Sequence, residues 1–142
     1  MKTKSKYKQF NDKYFILDSD NPFITNSIDD EILANFNGIN TNGLKDEIFK
    51  TIETFDFSNF NYKKKLSNFS GGEKVIICFS IFYSLAIRKI DSNTNLLLIN
   101  VLESLSPNNR FILVKKLQIL KEKKNITSYK LNNNNPVRIE YE

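Results

Sequence analysis

The run Val75 to Ile87, VIICFSIFYSLAI, holds about 13 residues without a charge and is fenced by Glu73-Lys74 in front and Arg88-Lys89 behind. At that length it falls well short of the roughly 20 apolar residues that span a bilayer. Together with its head, SGGEKVIICFSIFYSLAIRKI predicts a helix that is apolar almost all round, and such a helix has to be buried on most of its sides. A chain of 142 residues, 40% hydrophobic and 13% aromatic, is long enough to bury one real core, so a single domain is expected.

The flanking segments supply elements of both kinds. KYFILD, Lys13 to Asp18, is a short aromatic-rich apolar run and predicts a buried strand, ended by Asp20-Asn21-Pro22. SIDDEILANF offers a serine N-cap at Ser27, acidic residues in the first turn and Glu31, which together favour a short helix. GLKDEIFKTIETF places Leu44, Ile48, Ile52 and Phe55 at helical spacing on one face. NLLLIN, Asn95 to Asn100, is aliphatic between polar ends, the pattern of a strand buried on both faces. Pro107 at a first-turn position and the run to Leu120 predict another helix. NITSYKL and VRIEYE are short alternating strands, with the asparagines 132 to 135 as the turn between them. The order of elements is that of an α/β fold with an inserted helical layer.

Composition then removes several chemistries. The chain has no histidine, which eliminates Ser-His-Asp and Cys-His constellations, histidine-containing metal sites and histidine proton switches. Its single cysteine, Cys78, lies inside the apolar run and reads as a small core residue in a reducing compartment. The formal charge of +5 comes mostly from two clusters, MKTKSKYK at the start and KKK at 63 to 65, with a smaller one, KEKK, at 121 to 124. With no alternation of aromatic and basic residues to make a stacking platform, these clusters are solvated surface rather than a nucleic-acid face. The basic N-terminus runs into QFND and is not a signal peptide, so a cytoplasmic location is expected.

What remains is the head of the apolar helix. Ser70-Gly71-Gly72 uses two of the chain's four glycines. At a helix start this triplet offers unblocked backbone N–H groups, a hydroxyl and the positive end of the helix dipole, the ingredients of an anion site. The plainer alternative is an N-cap followed by two glycines in a tight turn.

The surroundings of that triplet resemble the ABC-type ATPases. Leu66 to Lys74, LSNFSGGEK, is similar to their signature motif, with Phe69 for the usual leucine and Glu73 for glutamine. LDSDNPFITNSIDDEI resembles the Q-loop region of importer ATPases of the cobalt and energy-coupling-factor type. NLLLINVLESLSP resembles the Walker B strand and D-loop, and NITSYKL falls where the switch-histidine strand belongs. The likeness covers about Gln9 to Leu131. It implies a truncated ABC-ATPase-like parallel sheet, formed by residues 13–18 and 95–142, with a helical subdomain inserted at about 28–89. It also implies that two such domains pair head to tail, so that Ser70, Gly71 and Gly72, with Glu73 and Lys74 behind them, would meet the γ-phosphate of a nucleotide held by a partner.

The departures from the family pattern fall on its catalytic positions. The phosphate loop G-x-x-x-x-G-K-[ST] is missing; GINTNGLK, Gly38 to Lys45, has Leu44 where lysine is required and Asp46 after it, and is taken as a loop coincidence. Leu17 stands at the Q-loop glutamine, and Asn100 and Val101 at the Walker B aspartate and catalytic glutamate. Ser106 stands at the D-loop aspartate and Ser128 at the switch histidine. An amide brings no charge to magnesium's water shell, and a valine can neither accept a proton nor orient water. Glu103, beyond the strand end, is expected to be a turn residue.

The resemblance therefore implies a degenerate ABC transporter ATP-binding subunit, a pseudo-ATPase with no catalytic residue and no metal of its own. ATP would be held mainly by a competent ABC ATPase partner, in a heterodimer peripheral to a membrane permease. The alternatives left open are a nucleotide-independent structural or regulatory binding module, or a chromosome- or repair-type ABC head fragment. Against the last stands the lack of a coiled-coil heptad run.

Overall fold

The computed structural model describes residues 13–23, 25–35, 42–58, 60–88 and 95–140. Within them the chain forms β1 (Tyr14–Asp18), α1 (Ile28–Asn35), α2 (Leu44–Glu53), α3 (Gly71–Arg88), β2 (Asn95–Ile99), α4 (Pro107–Lys124), β3 (Thr127–Asn132) and β4 (Asn135–Arg138). The strands make one four-stranded sheet in the order β1-β2-β3-β4. The first three are parallel, and β4 returns antiparallel to β3, so the sheet is mixed. The expectation that KYFILD, NLLLIN and NITSYKL lie side by side and parallel holds. Parallel neighbours need a crossover between them. Helices α1 to α3 fill the first connection and α4 the second.

Strand β2 is the most enclosed element. Leu96 to Ile99 have relative exposures of 0 to 1%, because β2 has a strand on each side and side chains packed on both faces. Leu17 lies opposite Leu98, and Leu96 is paired on one side with Phe15 and on the other with Ser128. Leu17, Leu96 and Leu98 join one continuous core with Phe79 and Phe82 of α3 and Leu113, Leu117 and Leu120 of α4.

The predicted burial of α3 is what the structure has. Phe82 packs on Phe15 of β1, ring centroids 4.5 Å apart, while Phe79 meets Phe55 just beyond α2 edge to face at 6.3 Å. The α2 stripe of Leu44, Ile48, Ile52 and Phe55 is buried throughout, as the spacing predicts. At the far end of α3, Arg88 donates to both Glu47 carboxylate oxygens, at 2.9 and 3.0 Å, and to the Asn42 carbonyl at 2.6 Å, tying α3 to the start of α2.

Caps set the element ends. Ser27 accepts the Asp30 N–H at the head of α1, and Ser106 accepts the Asn109 N–H at the head of α4, where Pro107 opens the helix. Helix α4 runs to Lys124, one turn past the expected end at Leu120. It stops where Asn125 turns left-handed at φ 54° and its N–H closes on the Lys121 carbonyl at 3.1 Å, the five-to-one bond of an αL ending, while the Ile126 N–H reaches back to the Leu120 carbonyl at 3.2 Å. Asn133 and Asn134, at φ 52° and 65°, make the two-residue reversal between β3 and β4, the backbone signs of a type I′ hairpin.

Candidate functional site

The first residues of α3 carry the chemistry singled out in the sequence, and the structure divides their roles. The Ser70 hydroxyl accepts the Glu73 N–H at 3.2 Å, and the Glu73 carboxylate accepts the Ser70 N–H at 2.9 Å. This is a reciprocal capping box, S-x-x-E, which satisfies one exposed donor at each end of the first turn. The Lys74 N–H closes the turn on the Ser70 carbonyl at 2.9 Å. The Gly71 and Gly72 N–H groups have no acceptor among the described residues and sit at the positive end of an 18-residue helix. While it accepts from Glu73, the Ser70 hydroxyl still has a proton to donate.

The two glycines are not equivalent. A Cβ on Gly72 would stand 3.0 Å from the Ser104 carbonyl oxygen, tighter than most real Cβ contacts, so that main-chain oxygen would have to give way. Glycine there lets the head of α3 rest against the turn that follows β2. A Cβ on Gly71 would meet nothing within 4 Å. Packing accounts for Gly72 and the capping box for Ser70 and Glu73. Nothing among the described residues accounts for Gly71.

The turn that Gly72 touches begins at Asn100, exposed and left-handed at φ 58°, directly past the carboxyl end of β2. Val101 next to it is buried at 1% exposure, its side chain in the main core. Leu102 to Ser104 form a single turn of 3-10 helix, and Glu103 lies exposed on it, as expected of a turn residue. Arg110 holds this turn from α4, donating through Nε to the Leu102 carbonyl at 2.9 Å and through Nη2 to that of Leu105 at 3.2 Å. Sequence reasoning passed over Arg110; its position four residues after the Ser106 cap, back over the turn, was the available signal. Ser106 itself is engaged as the α4 cap.

The remaining positions spread out. Leu17 is buried at 1% exposure in β1. Its neighbour Asp18, also buried, accepts the Asp20 N–H, and the Ser19 N–H reaches the Ile99 carbonyl, so the carboxyl ends of β1 and β2 are held together beside Asn100. Ser128 does not join them. It pairs with Leu96 near the start of β2, four residues before Asn100, or about 13 Å along the strand at 3.3 Å per residue. Its hydroxyl is fully buried and has no hydrogen-bond partner among the described residues. The structure thus brings Gly72 against the Asn100–Ser104 turn and leaves Ser128 inside the sheet.

The phosphate-loop near miss lies partly outside the described residues. Of its described portion, Lys45 is committed elsewhere, paired with Asp29 at 2.6 Å and lying over the Tyr62 ring. No group of three or more acidic or cysteine side chains that could hold a metal ion occurs among the described residues, and no helix among them is long and apolar enough to cross a membrane. Cys78 donates its Sγ–H to the Pro22 carbonyl at 3.1 Å. Although the residue as a whole is half-buried, the thiol is enclosed, and burial, reinforced by the charge of Glu31, pushes its pKa up to about 12. A thiol so held is no nucleophile at neutral pH. Compared with models of known protein families and with characterised proteins, the chain matches none.

Proposed function

We propose that this chain is a degenerate ABC transporter ATP-binding subunit, a pseudo-ATPase that offers Ser70, Gly71 and Gly72 to a nucleotide held by a competent partner ATPase. The observation that carries the reading is Gly71. It is the first residue of a long buried helix, its N–H has no acceptor among the described residues, and the space a side chain would fill is open. A close-approaching anion supplies the reason for glycine that the fold does not. The parallel run β1-β2-β3 with three helices inserted before β2 agrees with the sheet and helical subdomain that the family resemblance implies. The commitment of Leu17 and Val101 to the core and of Ser106 to a helix cap supports a reading in which this chain lends no group of its own to hydrolysis. A membrane importer of the cobalt or energy-coupling-factor type is the assembly this reading favours.

The test is nucleotide-dependent capture. Tagged chain is exposed to lysate of its own cells with and without MgATP, and the retained proteins are identified. The parent should retain an ABC ATPase only when MgATP is present, and Gly71→Asp, which places a negative charge in the open space, should lose that retention with its circular dichroism unchanged. Losing two charge-assisted hydrogen bonds, at about 1.5 to 3 kcal/mol each, weakens association more than a hundredfold. Equal retention by parent and variant, or retention indifferent to MgATP, sinks the proposal.

A second reading, a nucleotide-independent binding module, has its own observation in favour. The capping box and the Gly72 contact explain three of the four notable residues by folding alone. Retention of one partner irrespective of nucleotide is the result it requires.

A further inference from the structure

The loop between α2 and α3 carries a second built feature. Five rings, Phe49, Phe57, Phe60, Tyr62 and Phe69, touch one another in sequence. Phe49 meets Phe60 at 5.6 Å and Tyr62 at 5.3 Å, Phe57 meets Phe60 at 5.5 Å and Phe69 at 5.8 Å, and Phe60 stacks on Phe69 at 6.0 Å. On this floor stands the turn Lys63-Lys64-Lys65. Asn61 shapes it, its carbonyl accepting the Lys64 N–H and its side chain the Lys63 N–H, both at 3.0 Å. All three lysines are exposed, and none meets a carboxylate among the described residues, where the two ion pairs are Lys45–Asp29 and Arg88–Glu47. Lys64 instead lies over the Phe69 ring at 4.7 Å.

Three adjacent like charges repel one another, and a flexible loop would relax by spreading them. Here the backbone of the turn is fixed by Asn61 and backed by packed rings, so the three ammonium groups are anchored side by side and an anionic partner meets them together. We infer that the Lys63–Lys65 turn and its aromatic floor form a docking surface for an acidic segment of a protein partner.

Two other polyanions fit the charge but not the rings. Single-stranded nucleic acid needs open ring faces on which bases stack. Here Phe60 and Phe69 stack on each other, Lys64 covers Phe69, and Lys45 covers Tyr62 at 5.0 Å. Firm binding to a lipid surface draws on protruding apolar groups that insert beside the charges. Phe69 is 5% exposed, and of the five rings Tyr62 alone reaches 41%. Carboxylates need neither: lysine ammonium groups on flexible stems capture them without a fixed geometry. The surface is independent of nucleotide, so it stands or falls apart from the ATPase reading.

The test is titration of the full chain into a fluorescent oligoglutamate peptide, read by anisotropy at low and at physiological salt. The parent should bind saturably, with affinity falling as salt screens the turn. Lys63→Glu with Lys65→Glu should weaken binding by about tenfold or more, the size expected when two exposed attractive contacts become repulsive. The same change in net charge made at Lys123→Glu with Lys124→Glu should leave affinity within about twofold. Lys63→Gln with Lys65→Gln, which removes charge without reversing it, should fall between parent and reversal. Equal losses in the two reversed variants, no saturable peptide binding, or tighter binding of oligothymidylate or of phosphatidylserine–phosphatidylcholine vesicles than of the peptide would overturn the inference.

Discussion

At the scale of single residues, the neighbouring glycines at the head of α3 separate two effects that sequence cannot. Replacing glycine by alanine in a helix gains up to about 1 kcal/mol of backbone entropy and propensity. At Gly71 that gain is uncontested, since the new Cβ meets nothing within 4 Å. Gly71→Ala should stabilise the fold by a few tenths to about 1 kcal/mol, the smaller figure reflecting its place in the first turn. At Gly72 the new Cβ presses on the Ser104 carbonyl at 3.0 Å, a main-chain atom pinned by Arg110 on either side of its turn. Overpacking of this kind costs about 1 to 3 kcal/mol, so Gly72→Ala should destabilise by roughly 1 kcal/mol net. Urea midpoints of the two variants, shifted in opposite directions, are the check; a loss at Gly71 equal to that at Gly72 would show that Gly71 has a folding role after all. Sequence showed that the pair was unusual. It could not show which glycine faces its own chain and which faces outward, because that depends on a turn 30 residues away.

At the scale of elements, the helices and strands were legible where their pattern was local and strong. The α2 stripe, the aliphatic β2 and the Ser106-Pro107 start of α4 follow from spacing, hydrophobicity and cap chemistry in a few adjacent residues. The end of α4 was not legible in the same way. KEKK reads as solvated surface beyond the apolar run, yet lysines in a last turn are favoured by the helix dipole, and Asn125 in a left-handed conformation ends the helix without glycine. The tie between α2 and α3 was equally invisible, since Glu47 and Arg88 are far apart in sequence. The hydrogen bond from Arg88 is the main reason the Glu47 carboxyl lies below its usual range, outweighing an opposing contribution from burial. A carboxyl depressed by folding stabilises above its unfolded pKa, about 4.3, and loses that contribution as pH falls through the folded value. Glu47→Gln should therefore lower Tm at pH 7, with the gap to the parent closing progressively as pH falls below about 4. A gap constant from neutral to acid pH would assign the effect to packing and not to the ion pair.

At the scale of the whole molecule, the order strand, three helices, strand, helix, hairpin was readable because each parallel crossover leaves its own helical period in the chain. The relative placement of candidate residues was not, since it depends on register: one parallel ladder puts Asn100 past the end of β2 and Ser128 opposite its beginning. Cys78 offers a probe of how firmly the whole is closed. It lies midway along α3, its thiol enclosed and bonded to Pro22, with its pKa pushed up to about 12 by burial and then by Glu31. A thiol reagent attacks the thiolate, so native Cys78 should be unreactive at pH 8 and labelled only through opening of the fold. The sign of the linked pH effect follows from the raised pKa: the contribution is fully present below the unfolded value of about 8.5 and is lost as pH rises toward 12. Over that window the unfolded chain releases a proton that the folded chain keeps, and stability falls by at most about 1.4 kcal/mol per pH unit. Cys78→Ala removes that slope together with the thiol. The parent should therefore lose more stability than the variant between pH 9 and pH 10, measured by urea unfolding, and its labelling rate should rise with urea in step with the unfolded fraction. Rapid labelling in the absence of denaturant, or parallel stability profiles for parent and variant, would place the thiol at an accessible surface, on the outward side of a helix whose burial rests on Phe79 and Phe82.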